Sequence, residues 1–382
     1  MIRRKIAVLT GKRGGYGAMK PMLRALDNDP TMGLSLIVTD QHINPIFGAT
    51  RTEVERDFRI AAAVDLEQAG GSARQRARAL GVGLSRMADV LDEIDPDILV
   101  LYGDRGEVLS TALAAVTMGI AIAHVQGGDV SGNIDDPMRH AITKLAHLHF
   151  TSTETSAARI RSLGEEPWRV QVVGDCHADP IVAGDYSDAA TIRQRYGIAN
   201  DDRPILLLYH PETIALRDGG VDMRAILTTV LARGRRTLIV YPCSDPGYEE
   251  IVEAIEATPT SPVVSVHRNI DAQDFLGLLA IASVLVGNSS AGLIETPYFQ
   301  IPAINVGGRQ RGREHAENVI HCGHGEDEVA AALTTALDDQ AFAARVAHCA
   351  RPFGDGRAGE RIVAALKAAP VGTPLLDKRL AG

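Results

Sequence analysis

Residues 97–127 read DILVLYGDRGEVLSTALAAVTMGIAIAHVQG. A short apolar run, Asp97–Gly103, gives way to helical spacing over Leu109–Gly119 and then to a second apolar run, Ala121–Gly127. Strand, helix, strand is the repeating unit of a parallel sheet covered by helices. Asp104 stands at the carboxyl end of the first strand.

The same alternation extends in both directions. Upstream, the pattern predicts strands at Lys5–Gly11 and Leu34–Asp40 and helices at Tyr16–Asp29 and Ser72–Glu93. Downstream it predicts a helix at Asp136–Ala146 and strands at His149–Thr153 and Val170–Gly174. Residues 178–202 then break the rhythm with Asp-Pro, Gly-Asp-Tyr-Ser-Asp and Asp-Asp-Arg-Pro, the composition of a hinge. Beyond it the pattern restarts. Strands are expected at Pro204–His210, Thr237–Pro242, Val263–Arg268, Val284–Gly287 and Ala303–Val306. Helices are expected at Met223–Arg233, Ala272–Ile281, Gly292–Phe299, Asp327–Leu337, Gln340–Ala350 and Gly359–Ala369. The chain is therefore expected to form two doubly wound, Rossmann-like α/β domains with the ligand cleft between them. The expected domains are 1–180 and 181–360, with a C-terminal helix and tail at 361–382 packing back on the first domain.

Composition agrees with this plan. The 382 residues suit two domains, and 45% hydrophobic with 23% charged residues is enough to bury real cores. A net charge of −9 argues against nonspecific nucleic-acid binding. No apolar run approaches the ~18 residues of a membrane span. Met1–Lys5 and the following apolar residues read as a first strand, not as a signal peptide, so a cytoplasmic location is expected. Cys176, Cys243, Cys322 and Cys349 lack metal-ligand spacing and read as scattered thiols.

In this architecture the residues just after strands carry most of the chemistry. Thr10–Gly17 (TGKRGGYG) follows the first strand; its glycines allow close approach of a ligand, and Arg13 beside Gly14 suits a phosphate. It is neither a Walker loop nor a clean dinucleotide fingerprint. Asp104, Glu107, His124, Asp129, Asp135 and Asp136, with Arg139 and His140, come from three loops that should meet at one sheet edge. Carboxylates so grouped can divide into an acid and a base; capping of helices by Asp104 and Asp136 is the plainer alternative. In the second half, His210 ends a strand in Tyr209–Thr213 (YHPET). Gly287–Glu295 (GNSSAGLIE) sets Asn288, Ser289 and Ser290 at a turn into a helix, where backbone N–H groups and hydroxyls suit a phosphate and Glu295 a ribose. Arg309, Arg311, Arg313 and His315 add cations fit for a diphosphate.

The segment GDRGEVLSTALAAVTMGIAIAHVQGGDVSGNIDDPMRHAITKLAHLHFTSTE, together with YHPET, GNSSAGLIETP and GGRQRGREHAENVI, resembles the hydrolysing branch of the UDP-N-acetylglucosamine 2-epimerases. The likeness runs over most of the chain in the same motif order. It implies a glycosyltransferase-B-like fold and a nucleotide-sugar substrate, with no cofactor or metal. It further implies a homodimer or homotetramer, and a place in sialic or legionaminic acid synthesis. Asp104, Asp129, one of Asp135 and Asp136, and His210 match the family's catalytic positions. Arg13, Gly14, Arg105, Arg139, His267, Asn288, Ser289, Ser290, Glu295, Arg309 and Arg313 are the expected substrate- and nucleotide-binding set.

Two departures stand out. Gly15 occupies a position where many relatives carry an acid, and Asp129 one where they usually carry Glu. Both leave the sugar's C4 and C6 substituents open, and the base (uracil or guanine) is open because related pathways use both. The implied reaction is elimination to a glycal followed by hydration, which frees an N-acetylmannosamine-type sugar and a nucleoside diphosphate. A glycosyltransferase, a non-hydrolysing epimerase and a nucleotide-sugar-binding protein without turnover are the alternatives on the same fold.

Overall fold

The computed structural model describes residues 3–45, 50–68, 72–214, 217–243, 245–259 and 261–381. The chain separates into two compact units: residues 1–129, 135–180 and 353–382 form the first, and 130–134 with 181–352 the second.

The first unit runs β1 (Arg4–Thr10), α1 (Arg13–Asn28), β2 (Met32–Thr39), α2 (Arg51–Asp57), β3 (Ile60–Val64), α3 (Ala73–Ile94) and β4 (Ile98–Tyr102). It continues with α4 (Gly106–Thr117), β5 (Ala121–Val125), α5 (Asp135–Leu145), β6 (Leu148–Thr151), α6 (Glu154–Ser162) and β7 (Val170–Val172). Helix α7 (Ala178–Ala183) spans the crossing from the first unit to the second. The second unit then has α8 (Ala189–Tyr196), β8 (Ile205–Leu208), α9 (Gly219–Leu231), β9 (Thr237–Val240), α10 (Tyr248–Glu256), β10 (Val264–His267) and α11 (Ala272–Ile281). After these come β11 (Val284–Gly287), α12 (Ala291–Ile294), α13 (Thr296–Phe299), β12 (Ala303–Val306), β13 (Val319–Cys322), α14 (Glu326–Asp338) and α15 (Gln340–Ala347). Helices α16 (Ala358–Ala368) and α17 (Thr373–Leu376) return to the first unit.

The first sheet has the order β3-β2-β1-β4-β5-β6-β7 and is parallel throughout. Successive residues of a strand face opposite sides of its sheet. Ile6, Val8 and Val100 accordingly meet Met19, Met22 and Leu23 of α1 and Ile362 and Leu366 of α16. Ala7, Leu9, Leu99 and Leu101 meet α3, α4 and α5 on the other side. Helix α16 lies close against α1, since a Cβ on Gly359 would come within 2.8 Å of the Met22 nitrogen. Its start is capped from outside: the Asp179 carboxylate accepts the Ala358 and Gly359 N–H groups at 2.9 and 2.7 Å.

The second sheet, β10-β9-β8-β11-β12-β13, is also parallel and buries Ile205, Leu207, Val284 and Val286 against α9 and α14. The expected class, two doubly wound α/β domains, is thus the observed one. In both sheets the strand order reverses at one place, between β1 and β4 and between β8 and β11. Crevices at such reversals, beyond the carboxyl ends of the strands, are where ligands bind in doubly wound sheets.

Local structure departs from the sequence expectation at several places. Residues 178–202 were expected to be hinge-like, yet they hold α7 and α8. Asp188 caps α8 by accepting the Thr191 N–H at 2.9 Å, and Gly197 closes it at φ 61°. Strand β3 (IAAAV) has little intrinsic β preference and exists because it pairs with β2. Helix α1 starts at Arg13, earlier than expected, with Gly14 and Gly15 in its first turn. The single helix expected over 292–299 is two, α12 and α13, divided ahead of Pro297.

Candidate active site

Asp104, Asp129 and Asp136 leave three different segments of the first unit and meet at one guanidinium. Arg139, on α5, is only 2% exposed. Its Nη2 donates to Asp104 Oδ2, and its Nη1 to Asp136 Oδ1 and, at 3.0 Å, to the Asp129 carbonyl oxygen. Burial would discharge Arg139, but the surrounding charges of Asp104, Asp129 and Asp136 outweigh it and hold the guanidinium firmly charged. The Asp129 carboxylate is itself buried and accepts the Ser156 hydroxyl at 2.7 Å. Of the acids expected to converge at the sheet edge, Asp104, Asp129 and Asp136 meet at Arg139, which offsets their mutual repulsion, whereas Glu107 joins a separate group.

His124 belongs to the support and not to the chemistry. It is fully buried, with Nε2 2.7 Å from the Gly103 carbonyl and Nδ1 3.2 Å from the Thr143 hydroxyl. Burial pushes its pKa down to about 3, so the ring is neutral. It pins the Gly103 backbone one residue before Asp104.

A second group lies at the ends of β1, β2 and β4. Arg105, the N-cap of α4, donates from Nε to Glu107 Oε1 at 3.2 Å and stands 3.9 Å from Asp40. Glu107 fills the space in front of Gly11, where a Cβ would come within 2.9 Å of its carboxylate. Asp40 is buried at φ 44°, and neither of its carboxylate oxygens has a hydrogen-bond partner. Burial and then the charge of Glu107 push its pKa up to about 7, against the pull of Arg105. Beside it, His42 binds the Thr10 hydroxyl at 3.0 Å, and burial and then Arg13 lower its pKa to about 4. Arg13 and Gly14 open α1 at this same end of β1.

The second unit builds its own arrangement at the β8–β11 reversal. Gly287, at φ 137°, lets β11 approach β8 so closely that a Cβ would sit 1.9 Å from the Leu208 carbonyl. That closeness lets Asn288 clasp His210. Asn288 Oδ1 accepts the His210 N–H at 2.7 Å, and its Nδ2 donates to the His210 carbonyl at 2.9 Å. The His210 Nδ1 accepts the Cys243 N–H at 2.9 Å. The neutral ring must then carry its proton on Nε2, so it presents a donor suited to an anion.

Ser289 turns the chain into α12 by accepting the Ala291 N–H at 3.3 Å, and Ser290 is the N-cap. Glu295 lies buried between α12 and α13. Arg309 donates to the Asn288 carbonyl at 3.4 Å and reaches Asp245 at 3.3 Å; Gln310 donates to the same carbonyl at 2.9 Å and is bound by Arg313 at 3.1 Å. His210, Asn288, Ser289 and Arg309 are therefore brought together. His267 stands on the edge strand β10, bonded to Ser265 at 2.9 Å and packed edge-on to Tyr196, two strands from the reversal.

Residues 130–134 belong to this unit although they fall between β5 and α5 in sequence. Gly132 donates its N–H to the Arg309 carbonyl at 2.9 Å, and Thr213 donates its hydroxyl to Asn133. Gly132 is required here, since a Cβ would lie 2.0 Å from the Gly308 oxygen. Among the described residues no cluster of His, Cys, Asp or Glu is placed to hold a metal ion, and no helix is long and apolar enough to cross a membrane.

Sequence reasoning overlooked Asp40, Ser156, Asp245 and the pair Asp175–His177. The strand-end rule that selected Asp104 and His210 applies equally to Asp40 after β2 and to Asp175 and His177 after β7.

A family model described as UDP-N-acetylglucosamine 2-epimerase matches residues 24–367. The chain is 33% identical over 376 residues to the UDP-N,N'-diacetylbacillosamine 2-epimerase (hydrolyzing) of Legionella pneumophila, covering 98% of both chains. It is 30% identical over 324 residues to the GDP/UDP-N,N'-diacetylbacillosamine 2-epimerase (hydrolyzing) of Campylobacter jejuni, covering 84% of both. Among solved structures, the UDP-GlcNAc 2-epimerase from Neisseria meningitidis bound to UDP-GlcNAc matches with a TM-score of 0.82 at 18% identity, over 96% of this chain and 100% of that one. The enzyme from Methanocaldococcus jannaschii in complex with UDP-GlcNAc and UDP gives 0.79 at 20%, over 96% and 100%. The structural matches speak to the fold, and the sequence matches to descent: the chain belongs to the UDP-N-acetylglucosamine 2-epimerase family.

Proposed function

We propose that the chain is a hydrolysing 2-epimerase. It takes a UDP-N-acetylglucosamine-type nucleotide sugar and releases an N-acetylmannosamine-type free sugar and the nucleoside diphosphate. The reading is carried by the gathering of Asp104, Asp129 and Asp136 around Arg139. Both relatives above 29% identity that are named here are hydrolysing enzymes of a diacetamido sugar. That favours a 4-acetamido-6-deoxy substrate over UDP-N-acetylglucosamine itself, and a role in supplying nonulosonic acids of the legionaminic type. A homodimer or homotetramer is the assembly proposed.

The chemistry follows from the substrate. The C2–H of the sugar is not acidic, because no carbonyl adjoins it. Departure of the diphosphate from C1 leaves an oxocarbenium-like carbon, which acidifies C2–H. A carboxylate of the Asp104–Asp129 pair takes that proton, giving a 2-acetamidoglycal. Water then adds at C1 while a proton returns to C2 from the opposite face, which inverts C2. The first unit supplies the proton-handling acids. The second supplies the leaving-group site: the Nε2–H of His210, the Ser289–Ala291 turn and Arg309 with Arg313.

Proton NMR in D2O tests this. With UDP-N,N'-diacetylbacillosamine, and in parallel UDP-N-acetylglucosamine, the expected product is a free 2-epimeric sugar deuterated at C2 together with UDP. Asp104→Asn should cut its rate by roughly 100-fold or more. Retention of the nucleotide in the product, transfer to an acceptor only, or near-wild-type turnover by Asp104→Asn would each defeat the reading or its residue assignment.

A further inference from the structure

One charged group in the first unit is unused by the chemistry above. Strands β5, β6 and β7 are neighbours in the sheet, and their carboxyl ends release Gln126, Ser152 and Asp175. All three meet at the Asp175 carboxylate, which is 1% exposed. Its Oδ2 accepts Gln126 Nε2 at 2.6 Å and the Ser152 hydroxyl at 2.9 Å. Its Oδ1 accepts the backbone N–H of His177 at 2.9 Å and the ring Nδ1–H of His177 at 2.8 Å.

A helix cap needs one backbone bond from such a carboxylate. This one has four bonds, from three strand ends. One of its donors, Gln126, is held at φ 62°, a conformation that costs about 1 kcal/mol or more for a residue with a side chain. Burial alone would protonate Asp175, but His177 and the other donors keep it ionised, well below the usual carboxylate range. A fixed anion thus lies against the imidazole.

The ring's surroundings fix its location. The Tyr102 hydroxyl is 3.1 Å from His177 Nδ1, and the two rings are 6.1 Å apart. Tyr102 in turn faces Gly15, whose Cβ would stand 3.5 Å from its ring. His177 therefore borders the crevice between the ends of β1 and β4, beside the first turn of α1, with 17% of its side chain exposed.

We propose that His177 is the acid of the second half-reaction: its imidazolium delivers a proton to C2 of the glycal while water adds at C1. Asp175 is its positioning residue. This rests on the epimerase reading above. The protons balance. The carboxylate protonated in the elimination first releases its proton to solvent. His177 then loses one proton to C2 as the water oxygen bonds to C1, the proton shed by that water passes to the freed carboxylate, and His177 is reprotonated from solvent. Asp104 and Asp136 are poor candidates for this step, because both are tied up in ion pairs with the Arg139 guanidinium. Nδ1–H is committed to Asp175, so the second proton of the imidazolium, on Nε2, is the transferable one.

The test separates the two half-reactions. His177→Asn keeps an amide donor for Asp175, and His177→Gln serves as the second variant should the first misfold. Release of nucleoside diphosphate and formation of the free sugar are followed together by proton NMR, and synthetic 2-acetamidoglycal plus UDP is supplied separately. The expected variant releases nucleoside diphosphate, accumulates glycal with its vinyl proton signal, and hydrates added glycal roughly 100-fold more slowly than wild type. Free-sugar formation within a few-fold of wild type, without glycal, overturns the proposal alone. Equal loss of both half-reactions in a folded variant that still binds UDP also overturns it, assigning His177 to elimination. Wild-type protein that neither frees a sugar nor hydrates glycal overturns the epimerase reading and this proposal with it.

Discussion

Single side chains here do unlike work with the same functional group. Asp104 and Asp136 are paired with a buried guanidinium, Asp175 is kept ionised by His177 and its other donors, and Asp40 has only Arg105 at 3.9 Å and no hydrogen-bond partner on either oxygen. Because the Asp40 carboxyl is raised to about 7, the folded chain holds its proton between about pH 4 and 7, where the unfolded chain has lost it. Stability contributed by this site therefore falls as pH rises through that interval. Asp40→Asn should stabilise the protein at pH 8 by on the order of 2 kcal/mol, an advantage that vanishes near pH 4. Thermal melts across pH will check it; a variant equally or less stable at pH 8 would refute the buried-anion account. The candidate acids Asp104 and Asp129 were legible because they follow predicted strands in an unusual run of carboxylates. Arg139 stood in the same run, but its burial and its role as the hub depend on contacts from three segments, which spacing along one chain does not encode.

At the scale of elements, the glycines at strand ends decide what can approach what. Gly287→Ala would press a methyl group onto the Leu208 carbonyl at a backbone angle that disfavours any side chain. A loss of at least ~3 kcal/mol in the second unit follows, with displacement of the Asn288–His210 clasp. Denaturation curves and UDP affinity should both register it, and normal values of both would refute the close-approach argument. The alternation of strands and helices was readable because apolar runs and helical spacing are strong local signals. The elements that escaped notice, α2, α6, α7, α10 and α17 as well as β3, α8 and β13, are mostly short, and the last three show why. They exist through pairing and capping: alanines paired to β2, an Asp188 cap in a linker-like stretch, and Val319–Cys322 added to the edge of β12. The glycine-rich turn after β1 was expected to be loop as far as Tyr16; the helix starts at Arg13, its first turn closed by the Tyr16 N–H on the Lys12 carbonyl at 3.0 Å, with the Tyr16 hydroxyl bound to Asp57 at 2.7 Å.

Across the whole molecule, long-range ties hold the first unit closed. Glu165, 1% exposed, is bound by Lys144 at 2.6 Å, Lys378 at 2.8 Å and His149 at 3.1 Å, while Arg169 clasps the carbonyls of Leu375 and Asp377 at 2.8 and 2.9 Å. Burial would raise the Glu165 pKa, but His149 and the two lysines lower it to about 2. Its contribution is thus full above about pH 4.5 and is lost as pH falls toward 2. Glu165→Gln should cost about 2 kcal/mol at pH 7, less than a fully buried pair because both lysines retain some water. The cost should shrink at pH 2.5, and melts at the two pH values will decide it; an unchanged gap would remove the charge explanation. The return of α16 to the first unit also sets an order of events during synthesis. The ribosome must deliver all of residues 181–352 before residues 358–368 emerge. Until then Met19, Met22 and Leu23 lack the partner that covers them. The second unit can thus mature while the first still exposes a greasy seam, so a nascent chain stalled before residue 358 is the form most in need of a chaperone.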